Sequence, residues 1–413
     1  MRLGGLGRNP HFMRLWVGQT VSVFGSMIGN FALPFVALLT LEASPFQIAL
    51  LGIMGLIPGF LVSLFAGVWV DRLPRRPVLI WSDVGRFLAL LSVPVAALLG
   101  VLSMPQLYLV AFVNGVFGTF FDVAYHAYLP SLVRRDQLVE GNSKLSASAS
   151  VAEAGGFGIA GWLVQWLTGP IVILVDAISF LFSALSIAAI RQPEPPVKKT
   201  EGGGNARLEA KEGLQAILHQ PVVRTLVGSN VLLAFFSRIF GSMFLVFATR
   251  EVGLSPGVQG MIYSIGGVTS LLGAVLAGPL TRRYGLGKTL VFSMVMISLG
   301  SFAPTLAVGV GVVTILLYIL NQLLTDPAWT LHNINELSLR QALVPNQVLG
   351  RVNGSVRFLE FGANLLGMFL GGVLGELLGA RATLMIGALG GLISAFWLLV
   401  SPVWRYQEVP AQG

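Results

Sequence analysis

The 413-residue chain is 54% hydrophobic and only 11% charged, against about 25% charged in soluble domains, which excludes an ordinary soluble enzyme and a disordered tail. With no cysteine, it has no disulfide framework, thiolate metal site or Cys nucleophile. A net charge of +8 would suit nucleic acid, but the cations lie in short stretches between apolar segments, where they set membrane orientation instead.

The opening residues MRLGGLGRNPHFMRLW lack the apolar core and small-residue cleavage site of a signal peptide, so Phe12 onward reads as a first membrane helix. Twelve apolar segments follow, each near or above the ~20 residues that cross a bilayer. They run roughly over 12–40, 46–70, 78–101, 105–128, 139–168, 171–190, 222–250, 257–281, 288–307, 311–330, 349–378 and 382–403. Fifty glycines suit closely packed membrane helices. Segments one, five and eleven are expected to run beyond the bilayer.

Lys and Arg alternate in density from one connection to the next. One set comprises the N-terminus, the loop after segment two, Arg134 and Arg135, the central linker, Arg282, Arg283 and Lys288, Arg340 and Arg351, and Arg405. The opposite connections carry only Arg250 and Arg381. This asymmetry predicts that both termini and the linker are cytoplasmic. The linker, about 191–220, opens with Pro193, Pro195 and Pro196 and continues through KKTEGGGN as a flexible connector. Within it, Leu208, Leu214, Ile217 and Leu218 among charges predict a short amphipathic surface helix.

Gly67 to Arg76 reads GVWVDRLPRR and must be a tight aqueous turn between segments two and three. Asp71 closes a helix end, where a lone carboxylate is poorly placed against the terminal partial negative charge and needs a nearby cation or helix N-terminus. Arg72, Arg75 and Arg76 offer cationic forks at the membrane surface. The pattern Gly67, Asp71, Arg72, Arg75, Arg76 resembles the signature loop between helices 2 and 3 of the major facilitator superfamily.

The chain also repeats itself at a spacing of about 210 residues. Pro10 and Gly18 answer to Pro221 and Gly228, Gly67-Val-Trp-Val-Asp-Arg to Gly278-Pro-Leu-Thr-Arg-Arg, Asp122-Val-Ala-Tyr to Asp326-Pro-Ala-Trp, and Asp136-Gln137 to Asn346-Gln347. Two similarly oriented six-helix halves are the arrangement of major facilitator proteins. The resemblance therefore implies an all-α integral membrane protein of twelve transmembrane helices in two six-helix pseudo-symmetric bundles. Their expected extents are 1–190 and 221–413, joined by the cytoplasmic linker 191–220.

Detailed wording is most similar to the branch of macrolide, siderophore and multidrug exporters. It is carried by Arg14-Leu-Trp-Val-Gly-Gln-Thr with Ser22 and Gly25, Asp83-Val-Gly-Arg86, Phe121-Asp122-Val-Ala, Leu129-Pro-Ser-Leu-Val with Asp136-Gln-Leu, Asp176-Ala-Ile-Ser-Phe and Lys211-Glu-Gly-Leu. Two departures from drug–proton antiporters stand out. Segment four has Asn114-Gly-Val-Phe-Gly where they often carry an arginine, and Ala154-Gly-Gly-Phe-Gly-Ile-Ala-Gly in segment five lacks their Gly-Pro pair.

Charges inside the membrane mark mechanism, because each costs roughly +2.5 to +3.5 kcal/mol on insertion scales unless paired or wet. Asp83, Arg86 and Asp122 near the cytoplasmic ends of segments three and four are expected to form an inner gate with Asp71 and a cation of segment eleven, Arg351 or Arg357. The bland alternative is a static ion-pair cluster. Deeper lie Glu153, Arg238 and Glu360. A carboxyl group removed from water holds a proton more readily, so Glu153 and Glu360 are candidate proton-coupling or cation-recognition residues. Arg238 would pair with one of them or hold an anionic group of a substrate. Asp176 reads as an interfacial cap, and Asp326 as the symmetry mate of Asp122. A pocket for amphipathic compounds would draw on Asn30, Phe31, Phe35, Phe235, Phe236, Tyr263, Asn321, Phe361 and Asn364, although any one Phe is more often core or lipid-facing.

Other chemistries find no support. Gly285-Leu-Gly-Lys-Thr lacks the first glycine of a phosphate loop, which would fall at Arg282. His11, His126, His219 and His332 read as scattered at helix ends with no metal-ligand spacing, and no Gly-x-Ser-x-Gly occurs. The expectation is a secondary transporter with no enzymatic activity, cofactor or metal. It would work as a monomer in the lipid bilayer, by alternating access, exporting an amphipathic small molecule (drug, macrolide or siderophore class) against protons. The competing readings are a lipid or lysolipid flippase of the same fold and a non-transporting receptor or scaffold. A bacterial inner membrane is the expected location.

Overall fold

The computed structural model describes residues 5–70, 73–194 and 206–407, with the side chains of 63–70 and 206–210 outside the description. Among the described residues every regular element is helical. Six long helices come first: α1 (Pro10–Phe35), α2 (Pro45–Val70), α3 (Arg75–Leu98), α4 (Met104–Leu132), α5 (Leu138–Leu167) and α6 (Gly169–Ala188). The short α7 (Ala206–His219) precedes α8 (Pro221–Val246), α9 (Pro256–Tyr284), α10 (Leu286–Phe302), α11 (Val312–Leu343), α12 (Asn346–Leu378) and α13 (Ala380–Leu399).

Helix starts follow local chemistry. Asn9 caps α1 by accepting hydrogen bonds from the backbone N–H groups of His11 (3.0 Å) and Phe12 (3.2 Å), and Pro10 occupies a first-turn position that needs no N–H donor. Pro221 opens α8 in the same way. Each of these two helices ends in a five-residue π turn, Val36–Thr40 and Phe247–Glu251, so the internal repeat extends to an irregularity.

Eleven helices are long and apolar enough to cross a membrane among the described residues. The twelfth expected span, α5, is present as a 30-residue helix but carries Glu140, Lys144, Glu153 and a run of serines. Its polar side is met by α1, whose Trp16 indole N–H donates to Ser148 Oγ at 3.0 Å, while Glu140 and Lys144 pair within α5 at 3.0 Å. Large apolar side chains such as Trp81, Leu109, Ile178, Val275, Phe292 and Phe396 point outward, as a bilayer solvent requires.

The chain divides into two compact units, Met1–Glu201 with Ser255–Ser264, and Gly202–Leu254 with Ile265–Gly413. In the first unit α1 packs on α6 and α5, α2 on α4, and α3 on α4 and α6. In the second the pairings recur: α8 on α13 and α12, and α10 on α11 and α13. α9 meets α11, where Thr281 Oγ1 donates to Asn335 Oδ1 at 2.6 Å. Thus the same helices pair in both units.

Within the second unit, α7 is the amphipathic helix foreseen in the linker. It lies on α12, burying Ile217 against Val352 and Val356. Arg351 of α12 reaches Glu212 at 2.5 Å, with both side chains roughly two-fifths exposed. A pair this exposed contributes about 0–1 kcal/mol. Glu212→Gln is therefore expected to leave Tm within about two degrees of wild type, and a fall much beyond that in a thermal-shift assay would show that the charge, rather than Ile217, holds α7 in place.

Candidate functional site

Two clusters of charge lie inside the helices, one in each unit. In the first unit Arg86 of α3 lies within electrostatic reach of Asp83 on its own helix, Asp122 on α4 and Asp176 on α6. Its guanidinium covers the Phe180 ring at 4.8 Å and the Phe121 ring at 5.6 Å, a desolvated cation–π arrangement. Asp83 is 0% exposed, and the hydroxyl nearest its carboxylate is that of Ser183 on α6. Asp176, expected as an interfacial cap, is instead 3% exposed beside Ser179 and against Gly25 and Gly29 of α1. Two small residues on α1 admit the carboxylate between helices, which the sequence position alone did not indicate.

The loop before α3 is only partly described. Asp71 and Arg72 lie outside the described residues, as do the surroundings of Gly67. Arg75 and Arg76 offer their backbone N–H groups, each at 2.7 Å, to the two carboxylate oxygens of Glu194. An anion at a helix N-terminus is favourably placed. The Arg76 guanidinium then donates to the Ile187 carbonyl at 3.2 Å and to that of Ala188, tying α3 to the end of α6.

The second unit contains a cavity of about 510 Å³. Three arginines (Arg238, Arg340 and Arg357) and two glutamates (Glu336 and Glu360) line it, with Asn230, Asn333, Asn364 and His332. Trp329, Leu233, Ala234 and Leu337 supply its apolar wall. α11 contributes most of the charge by helical spacing. His332, Glu336 and Arg340 recur every four residues on one face, and Glu336 pairs with Arg340 at 3.4 Å. Glu360 lies beside Arg340 and Arg357. The Asn230 amide stands by both carboxyl groups, and its oxygen accepts from Nε2 of His332 at 3.0 Å. Because an amide oxygen can only accept, that ring nitrogen carries the hydrogen. Arg238 Nε donates to Asn364 Oδ1 at 2.9 Å.

Of the expected site residues, the cavity brings together Arg238, Glu360, Asn364 and Arg357. Arg351 pairs with Glu212 and Arg357 lines the cavity, so both cations proposed for the gate are engaged within the second unit. Glu153 is exposed rather than enclosed. In the first unit, Phe31, Phe35 and Tyr263 gather with Phe157, at centroid separations of 4.8 Å for Phe31–Phe35 and 6.0 Å for Phe31–Tyr263, while Asn30 is exposed. Three pocket expectations make packing contacts: the Phe236 ring lies on Gly390, Phe235 stacks edge-on against Phe236, and Asn321 donates to the Gly300 carbonyl at 3.0 Å. Phe361 is half-buried beside the cavity residue Glu360.

Four cavity residues were read differently or missed. His332, placed at a helix end by sequence, is 2% exposed in mid-helix. Arg340, counted among loop cations, is 9% exposed and helical. Glu336 and Asn230 carry no sequence signal beyond their polarity. The readable signal was the absence of any Gly or Pro between Ala328 and Val344, which lets α11 run past residue 330 to Leu343.

Residues 6–412 match the family model described as transmembrane secretion effector. The chain is 27% identical to the multidrug efflux pump Tap of Mycolicibacterium fortuitum, with 92% of each chain covered. It is 28% identical to the MFS-type transporter YfiS of Bacillus subtilis, over 91% of this chain and 89% of that one. With the enterobactin exporter EntS of Salmonella typhimurium it shares 22% identity over 99% and 97%. Among solved structures, a bacterial homologue of the iron transporter ferroportin superposes with a TM-score of 0.77 at 20% identity, covering 96% and 98%. The nucleoside transporter NupG gives 0.75 at 16% identity, covering 96% and 99%. At such identities the structures speak to fold.

Proposed function

This chain belongs to the transmembrane secretion effector family of the major facilitator superfamily, and we propose on that premise that it is a proton-coupled exporter of an amphipathic small molecule. That it is an integral membrane transporter and no enzyme follows from the family and the apolar helices. Direction and coupling are the further steps, and the efflux relatives Tap and EntS favour export.

One observation carries the coupling. Glu336 and Glu360 stand together in a cavity among three arginines, with one asparagine amide serving both carboxyl groups. Both carboxyl groups face arginines of the same cavity, so a proton taken up by either alters how they neutralise Arg340 and Arg357 and hence what else the cavity holds. Transport proceeds by alternating access, with Gly67, Asp71, Arg72, Arg75, Arg76, Asp83, Arg86 and Asp122 forming the gate-side network of the first bundle. The halves 1–190 and 221–413, cytoplasmic termini, a monomeric state and a bacterial inner membrane complete the reading.

The test is proton flux in proteoliposomes holding the purified chain, with cationic drugs, macrolides, siderophores and lysolipids added in turn. Wild type is expected to move protons only with a substrate present. Glu360→Gln should reduce that flux by about tenfold or more, whereas Glu153→Gln, altering an exposed side chain, should leave most of it. Substrate movement by wild type without proton movement would sink the antiport reading.

A further inference from the structure

Among the described residues, Arg238 is the cavity arginine with no carboxylate beside it. Glu336 is paired with Arg340 at 3.4 Å, and Glu360 lies beside Arg340 and Arg357. The only hydrogen bond to the Arg238 guanidinium among the described residues is from its Nε to the neutral amide oxygen of Asn364. Three arginines against two glutamates leave the cavity one positive charge in excess when all five are ionised. Protonation of either carboxyl group raises that excess.

Arg238 lies within a membrane span yet is exposed on the cavity side, so its guanidinium is open to water or to an entering anion. Its planar fork also matches oxyanions, which accept two parallel hydrogen bonds. Asn364 occupies Nε, and so leaves the terminal nitrogens of Arg238 available on the cavity side. The amide NH2 of Asn364 is a further donor beside them, since its oxygen is the atom already engaged. A cationic group entering the cavity would find both carboxyl groups already facing arginines and a net charge of its own sign. The apolar wall of Trp329, Leu233 and Leu337 lies in the same cavity, where it suits an aromatic or aliphatic body.

We propose that Arg238 and Asn364 form the anion-recognition subsite of this cavity, and that the transported molecule is an amphipathic anion whose carboxylate, phenolate or sulfonate docks there. The assignment rests on the transporter reading above and narrows its substrate class. Glu336, Glu360, Arg340, Arg357 and His332 are the charged or titratable groups that share this cavity with Arg238.

Equilibrium binding to the full detergent-purified chain tests the subsite without a gradient. Fluorescence anisotropy with fluorescein as the anionic probe and ethidium as the cationic one provides the readout. Wild type is expected to bind fluorescein more tightly than ethidium. Arg238→Gln and Asn364→Asp should each weaken fluorescein binding by about tenfold, the second by giving Arg238 a carboxylate of nearly unchanged shape. Arg238→Lys should fall between them and wild type. Thermal melting confirms that each variant is folded, and Asn364→Asp serves if Arg238→Gln is not. The proposal is overturned if wild type prefers ethidium or fails to bind fluorescein, or if both folded variants bind fluorescein as wild type does. Loss of proton-driven flux with anion binding intact would instead remove the exporter reading and leave the subsite standing.

Discussion

Replacing Arg86 by methionine is expected to lower Tm by roughly ten degrees or to prevent recovery of monodisperse protein. Arg86 is the cation within electrostatic reach of Asp83, Asp122 and Asp176. Asp83 is fully enclosed, with the Ser183 hydroxyl and Arg86 as its polar neighbours. Among the described residues Arg86 makes no direct ion pair, but it is the guanidinium whose field offsets these buried carboxylates, and leaving buried charge uncompensated costs up to about 3–5 kcal/mol. Methionine preserves much of the packing on Phe121 and Phe180, so the loss reports on charge. Adding Asp83→Asn in the same chain should restore a substantial part of the lost Tm, since one of the stranded carboxylates is then neutral. Differential scanning fluorimetry of the single and double variants measures this. An Arg86→Met protein that melts like wild type would mean that the aspartates are neutral without it.

Gly371→Leu should be as damaging for a steric reason. A Cβ at Gly371 would overlap Ser242 Oγ and lie 3.0 Å from the Ile239 backbone on α8. Gly367 and Gly375, one turn to either side, face Phe235 and Met243 equally closely. This stripe of small residues lets the α8 and α12 backbones approach, and van der Waals packing of that kind is the main force between helices in lipid. Four added carbons force the helices apart along three turns, beyond the ~1–3 kcal/mol of ordinary overpacking. Size-exclusion profiles of a fluorescent fusion should show aggregate for Gly371→Leu and a smaller loss of the monodisperse peak for Gly371→Ala, which adds only the Cβ. A monodisperse leucine variant with wild-type Tm would contradict the α8–α12 packing.

Much of the fold was legible because the bilayer writes length and hydropathy into sequence. The apolar segments mark the spanning helices, and the amphipathic pattern around Ile217 marks α7. The interior is harder to read, since the same side chain is core or ligand depending on rotation about a helix axis. Asn321 and Asn364 illustrate this: one caps the Gly300 carbonyl, the other holds Arg238. Asp176 was misplaced because its neighbours on α1 are glycines 25 and 29, and only packing shows which helix they meet. Glu336 was missed because hydropathy falls past residue 330 while the helix continues. A polar helical face lining a cavity looks, by composition, like the beginning of a loop.

The polarity of α5 bears on how the chain is made. Its charges and serines leave it outside the group of helices apolar enough to enter a bilayer alone, whereas the next helix, α6, has a mean hydropathy of 2.4. At the insertion machinery, α5 must therefore be taken up with help. Its hydrogen-bonding partner α1 precedes it in the chain, so Trp16 is made before the Ser148 it meets in the folded protein. The order of helices along the chain is thus also an order of assembly, in which the earliest span prepares a berth for the one least able to find its own.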